Sequence, residues 1–462
     1  MPALVTSLYN NGYGKAQEKQ DVAITTTIGG QDAFIVRYDT NGTALWSARI
    51  GGTGSEIAWA VTTDSYNNVI ACGQTGSATK MVLYNADGSG TGKIIQNNGS
   101  NDAFICKYHS SGKASWIARI GAAGTDIAYS ISTDSIGNIY VAGQQANNIC
   151  VAYNADGTAF GTSLPSRGGT ESFLIKYDPN GTVLWVSQIA GTGNDIGFGL
   201  DINKSTGDAY VVGQTSSTAS VTTAYNSDGT AFATTLPAVT TTSDAFIAKY
   251  DTSGFVQWIT RVVSPGTDNA RAVAIDSSGD IYVHCLTSAL TTQTTIAYNS
   301  DGTAFATQPA GLATTTGARG DSVIVKYNSS GFVQWVTLTS NANIDTVYSI
   351  AVDSSSNVYI SQNLSGSGNG DIFLKKLNPS TGALVWTVRI DSDGGDNAWG
   401  ITTDSSGNVY IGISAGTNIG PYTIRVRNTA GTAVFTVTAL TATVSSISVS
   451  YTHLTLPTKR IV

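Results

Sequence analysis

The chain has 462 residues, and only 12% of them are charged, about half the quarter usual in a globular chain. A formal net charge of −7 and the lack of any Lys/Arg cluster speak against a nucleic-acid surface, where phosphate neutralisation needs grouped cations. No apolar run approaches the roughly 20 residues that span a bilayer, and the N-terminus has no charged stretch followed by an apolar core, so neither a membrane span nor a signal peptide is expected.

Residues 1–31 do not open a repeat. Leu8-Tyr9-Asn10-Asn11-Gly12 resembles Tyr-Asn-Ala-Asp-Gly segments that lie later in mid-repeat, so the chain is expected to begin halfway through one unit. Two outer strands of that unit follow, DAFIVRYD and TALWSARI, ending near Ile50. From there a fixed pattern recurs. Trp46, Trp116, Trp185, Trp258, Trp335 and Trp386 lie 70, 69, 73, 77 and 51 residues apart. Ten residues after each stands an acid: Glu56, Asp126, Asp195, Asp268, Asp345 and Asp396. Eight residues further stand Asp64, Asp134, Asn203, Asp276, Asp353 and Asp404.

Within a copy, AYSISTDS, NIYVAGQ, FICKYH and ASWIARI alternate apolar with small or polar residues and are separated by Gly-containing turns. β-branched and aromatic enrichment between turn signals predicts strands. No segment sustains a period of 3.6, so no substantial helix is expected. A unit this small cannot hide its own apolar face and must stack on its neighbours. Four antiparallel strands repeated around an axis make a β-propeller.

Complete units are expected to start near Glu56, Asp126, Asp195, Asp268, Asp345 and Asp396, with YTIRVRN and TAVFTVT finishing the sixth and Phe435 standing where the others have Trp. Residues 444–449 align with AYSIST and supply the inner strand of one further unit, whose outer strands are those at the N-terminus. The expected architecture is all-β: one propeller domain over residues 1–450, with seven blades of four antiparallel strands. Residues 1–50 and 440–450 would share the closing blade, leaving no open sheet edge. Residues 451–462, YTHLTLPTKRIV, leave the pattern and look like a translated sequencing adapter, hence a non-native or disordered tail.

The connection between second and third strands is long in the shared unit and the first four complete ones, and short in the last two. The long versions carry YNADG or YNSDGTAF segments, where Asp-Gly is a strong hairpin signal. These hairpins are expected to raise a wall on one rim, where variable loops on a rigid scaffold favour recognition. On that rim the six acids would ring the channel mouth and hold a cation, with calcium the candidate because hard cations take oxygen ligands. Alternatively, each carboxylate braces its own loop. Three residues beyond the acids stand Trp59, Tyr129, Phe198, Arg271, Tyr348 and Trp399. Their alternation with Ala58, Ala128, Gly197 and Ala398 predicts packing between blades, with Arg271 the exception: either paired or exposed for binding. Cys72, Cys106, Cys150 and Cys285 stand singly, without metal-ligand spacing, and read as buried free thiols. His109, His284 and His453 are scattered, and no Ser/His/Asp set or phosphate loop occurs.

Modules of the form D-A-F-x-x-K-Y-D-x-x-G-x-x-x-W followed by I-x-x-D-S-x-G-N-x-Y-V-x-G resemble the SBBP repeat family of bacterial seven-bladed β-propellers. The resemblance implies a propeller, often secreted or at a cell surface, and no established activity. Asn378-Pro-Ser-Thr-Gly382-Ala-Leu-Val-Trp386 is similar to the tryptophan-docking turn of quinoprotein dehydrogenases, but the vicinal cysteines of that family are not visible. The favoured reading is therefore a non-catalytic scaffold that binds glycan, peptide or protein through the hairpin rim, extracellular or at a cell surface. The alternatives are a metal-dependent or quinoprotein-like enzyme, and a purely structural module of a larger surface protein.

Overall fold

The alternating segments form strands throughout the described part of the chain. The computed structural model describes residues 30–39, 43–76, 80–97, 99–121, 123–146, 148–239, 242–288, 295–305, 321–339, 344–365, 371–391, 397–414, 423–427 and 433–438. No helix occurs among them.

The unit opened at Asp126 shows the rule. Ile127–Thr133, Ile139–Gln145, Glu171–Tyr177 and Val183–Ala190 pair antiparallel in that order from inner to outer strand. The first turn forms because the Asp134 carboxylate accepts the backbone N–H groups of Ile136 and Asn138, while Gly137 takes a φ of +88°. Asp64, Asp276, Asp353 and Asp404 cap their own turns in the same way. This local bonding accounts for the Asp that recurs eight residues after five of the six ring acids, with Asn203 accepting the Ser205 N–H after the other, Asp195, because a short side-chain oxygen can replace a backbone acceptor in a turn.

The same four-strand order recurs in the units with inner strands Glu56–Thr63, Asp195–Ile202, Asp268–Ile275 and Ile344–Val352. The inner strand Asn397–Thr403 has one partner, Val409–Ser414, among the described residues. Consecutive inner strands lie side by side, so the sheets fan out from one axial edge. Between sheets, Tyr108, Tyr140, Tyr177, Tyr210, Tyr250, Tyr282 and Tyr327 are fully buried.

A latch joins each unit to the next. The Trp116 Nε1–H donates to the Pro179 carbonyl at 3.2 Å in the following unit, and Gly181 lies over the indole face, where a Cβ would stand 2.9 Å from the ring. Trp46, Trp185, Trp258 and Trp335 repeat this with the carbonyls of Ser110, Thr252, Ser329 and Pro379. The repeating Trp and the Gly of the third turn are thus two halves of one contact.

Two expectations are corrected. The inserted hairpins do not rise as a wall on the rim. Each runs down the outside of the preceding sheet: Val151–Ala152 pairs with Ala114–Gly121, Thr223–Ala224 with Val183–Ala190, and Ile296–Ala297 with Val256–Val263. The physical reason is the unpaired edge of an outer strand, which the insertion satisfies. Tyr153 anchors the descent under Arg119, whose guanidinium carbon lies 4.2 Å from the ring centroid and whose Nη1 pairs with Asp102 at 2.9 Å. Asn154 Oδ1 then accepts the Val183 N–H, tying the hairpin tip to its own unit.

The second correction concerns Thr423–Arg427 and Ala433–Thr438. They do not complete the sixth unit but pair with Leu384–Asp391, extending the fifth sheet to six strands. They take the place of an inserted hairpin, as Lys80–Tyr84 and Gly90–Gln96 do on the strand Ala44–Gly51. The expected closing strand at residues 444–449 and the tail 451–462 lie outside the described residues.

Candidate functional site

The axial edge of the fan is built by a backbone irregularity that recurs at one register. In each described inner strand one residue is skipped by the ladder: Ala58 pairs with Gly73 and Ala60 with Cys72, passing over Trp59. The skipped residues in the next five are Tyr129, Phe198, Arg271, Tyr348 and Trp399. A β-bulge of this kind re-aims one side chain away from the regular alternation. At Gly73, Gly143 and Gly213 a Cβ would stand 1.9 Å from the carbonyl oxygen of Ile57, Ile127 or Ile196, so a bare backbone lets the bulged strand approach.

The re-aimed side chains follow one another along the edge. The Trp59 and Tyr129 ring centroids are 5.8 Å apart, Tyr129 and Phe198 5.6 Å, and Tyr348 and Trp399 5.1 Å. The Arg271 guanidinium carbon lies 4.1 Å from the Phe198 centroid, within electrostatic reach of the Tyr129 and Tyr348 hydroxyls. These residues form a belt in which rings of neighbouring blades pack on one another. Packing between blades thus runs from ring to ring, and not from ring to the small residues of the alternation, because the bulge breaks that alternation at the position they occupy. Trp59 and Trp399 remain 44% and 58% exposed.

Polar side chains back the belt. Trp59 Nε1 donates to Gln74 Oε1 at 3.4 Å, and the Tyr129 hydroxyl donates to Gln144 Oε1 at 3.3 Å. Arg271 Nε donates to Asn269 Oδ1 at 2.7 Å, and Asn363 Nδ2 to Asn397 Oδ1 at 2.8 Å. The role of Gln74 and Gln144 escaped the sequence reading. The Gly-Gln pairs in Cys72-Gly73-Gln74 and Ala142-Gly143-Gln144 were the signal, set opposite the bulge.

The ring acids take a different position. Glu56, Asp126, Asp195 and Asp268 are all buried. Glu56 Oε1 accepts the Thr75 hydroxyl at 3.0 Å, and Asp126 Oδ1 accepts the Ala146 N–H at 3.0 Å. Asp195 Oδ2 accepts the Gly191 N–H at 2.6 Å, and Asp268 takes both the N–H and the hydroxyl of Ser264 at 2.5 Å. Asp195 and Asp268 are turned into the loops that precede them, and Glu56 and Asp126 towards the end of the neighbouring second strand, where buried donors need an acceptor in place of water. Burial pushes Asp195 and Asp268 up to about 7, although the surrounding hydroxyl and N–H donors favour the charged forms. Asp345 lies on the inner strand Ile344–Val352, paired with Leu364. Asp396 lies outside the described residues. No group of three or more His, Cys, Asp or Glu with metal-holding geometry occurs among the described residues.

The hairpin acids are also used locally. Asp156 Oδ1 accepts both the N–H and the hydroxyl of Thr158, and these bonds hold its pKa below the usual value. His284 is buried between the Ser322 hydroxyl at 2.7 Å and the Ser349 carbonyl at 3.2 Å, and burial pushes its pKa down to about 3. All four cysteines are buried and free, and burial raises each thiol above its ordinary range.

The SBBP β-propeller repeat model matches residues 115–144 and 334–373. These two stretches carry SBBP-type repeats. Each matched stretch covers an outer strand and the first two strands of the following unit, the second also reaching the start of the third strand Asp371–Leu377, and each holds both a latch tryptophan and a belt residue. The chain is 26% identical over 451 residues to an uncharacterized WD repeat-containing protein of Acanthamoeba polyphaga mimivirus, covering 84% of this chain and 31% of that protein. It is 25% identical over 290 residues to the regulatory protein FlaEY of Caulobacter vibrioides, covering 60% of this chain and 28% of that protein. The chain thus spans less than a third of either relative. No described helix is long and apolar enough to cross a membrane.

Proposed function

We propose that this SBBP-repeat protein is a non-catalytic binding scaffold whose ligand, a glycan chain, lies along the axial belt. The observation that carries this reading is the bulge at one register of every described inner strand, which turns Trp59, Tyr129, Phe198, Arg271, Tyr348 and Trp399 to the same edge. Exposed aromatic faces beside amide side chains suit a ligand with both C–H faces and hydroxyl groups. The likeness to a WD repeat-containing protein supports a repeat scaffold. A cell-surface or extracellular location belongs to the same proposal, as does service as one module of a longer chain. The hairpins cover the sheet flanks and are not part of the proposed site.

The test is a soluble glycan array probed with the parent and with Trp59→Ala and Trp399→Ala. Binding to saccharides, weakened at least tenfold in both variants with the melting temperature unchanged, is the expected outcome. Saccharide binding that neither variant alters would move the site elsewhere.

A further inference from the structure

Arg271 stands where the other described belt positions carry an aromatic ring. Its surroundings do not explain its charge. Asn269 takes its Nε, and Phe198 takes one face of the guanidinium. No carboxylate among the described residues forms an ion pair with it, whereas Arg49, Arg119, Arg261 and Arg389 each pair with an Asp. The neighbouring acids Asp195 and Asp268 are buried in their own loops. The guanidinium is therefore held in place by two contacts that leave its charge unmatched, with its two Nη groups as the remaining donors.

We propose that the belt selects an acidic saccharide, a chain containing uronic acid units, with Arg271 receiving a carboxylate while Phe198, Tyr129 and Trp59 receive the sugar faces on one side and Tyr348 and Trp399 on the other. This rests on the belt being the ligand site. The chemistry follows from three features. A guanidinium edge presents two parallel N–H donors that match a carboxylate. Stacking on Phe198 fixes the plane of that edge before the ligand arrives, which reduces the ordering cost of binding. The 5.6 and 5.8 Å steps between rings are comparable to one hexose unit, so consecutive sugars can meet consecutive rings. An acidic peptide would also satisfy Arg271, but it would not use a series of aromatic rings, tilted 53–58° to one another, on either side of the guanidinium.

The experiment titrates the full chain with oligogalacturonate, with a neutral cello-oligosaccharide of the same length and with oligoglutamate. Binding is followed by calorimetry and by the fluorescence of Trp59 and Trp399, which are more exposed than the latch tryptophans. Oligogalacturonate is expected to bind at least tenfold tighter than the neutral chain. Arg271→Gln is expected to abolish that preference, bringing oligogalacturonate affinity down to that of the neutral chain for the same variant, and Arg271→Lys to recover part of it. Melting temperatures of both variants establish that they fold. Equal affinity for acidic and neutral chains would overturn the selection by Arg271 and leave the belt as a general saccharide site. Oligoglutamate binding as tightly as oligogalacturonate, and lost in Arg271→Gln, would overturn the saccharide assignment. Binding of none of the three would overturn both this inference and the belt as their site.

Discussion

Asp195 shows how one position can be read correctly in sequence and still mislead about its surroundings. Its recurrence marks a loop, and its chemistry suggests a cation, yet the side chain is wholly buried among Gly191, Thr215 and Ser217. Its folded pKa of about 7 stands above the unfolded value near 3.8, so between those pH values the folded state holds a proton that the unfolded state releases. Stability from this group is present below about pH 4 and is lost as pH rises towards 7, at about 1.4 kcal/mol per pH unit before relaxation reduces it. Asp268 acts in the same direction. Asp195→Asn keeps the shape and removes the charge. It is expected to unfold at higher denaturant than the parent at pH 8, and to show a flatter dependence between pH 5 and 8 in urea titrations. A variant less stable than the parent at pH 8 would mean that the ionised carboxylate is stabilised by its donors after all.

At the scale of the element, the latch between units explains why Trp and Gly recur together although they lie in different units. Trp116→Phe keeps most of the buried area and removes the donor to Pro179, which leaves that carbonyl without this partner. A loss of about 1 kcal/mol is expected. Trp116→Ala also empties the site between sheets, and about 3–5 kcal/mol is expected. Gly181 has a φ of +87°, and a Cβ there would meet Trp116 at 2.9 Å and the Ala155 side chain at 2.7 Å. Gly181→Ala is therefore expected to cost at least as much as Trp116→Phe in the same denaturation experiment. Equal stability of all three variants would show that the units hold together without the latch. The strands themselves and the Asp-capped turns were legible in sequence because both depend on neighbours within a few residues. The bulge was not legible. It depends on how closely the second strand approaches, and Cys285, Gln362 and Ile413 hold the position of Gly73 in other units.

At the scale of the whole molecule, the inserted hairpins are edge covers. Val151–Ala152 adds to the outer strand Ala114–Gly121, and Tyr153, Asn154 and Asp156 fasten the descent. Replacing residues 149–168 by a short connection, such as that between Val358–Ser365 and Asp371–Leu377, would leave an unpaired outer edge. Such an edge pairs readily with another chain. The shortened variant is expected to elute at higher mass than the parent in size-exclusion chromatography, increasingly so with concentration. Unchanged elution would mean that the outer strand is protected by its own side chains.

The sequence alone determined the all-β class, the fixed unit and its turns, and the identity of the six residues on each repeated position. Each of these rests on local preferences and on a spacing that any single copy displays. Tertiary structure alone decided where those positions point. Glu56, Asp126, Asp195 and Asp268 turn inward because buried donors of their own loop or of the neighbouring second strand receive them. The aromatics and Arg271 turn to the axial edge because a bulge interrupts the alternation. The hairpins descend the flank because an outer strand of the preceding unit offers them an edge, a partner that lies outside the repeat in which they are written.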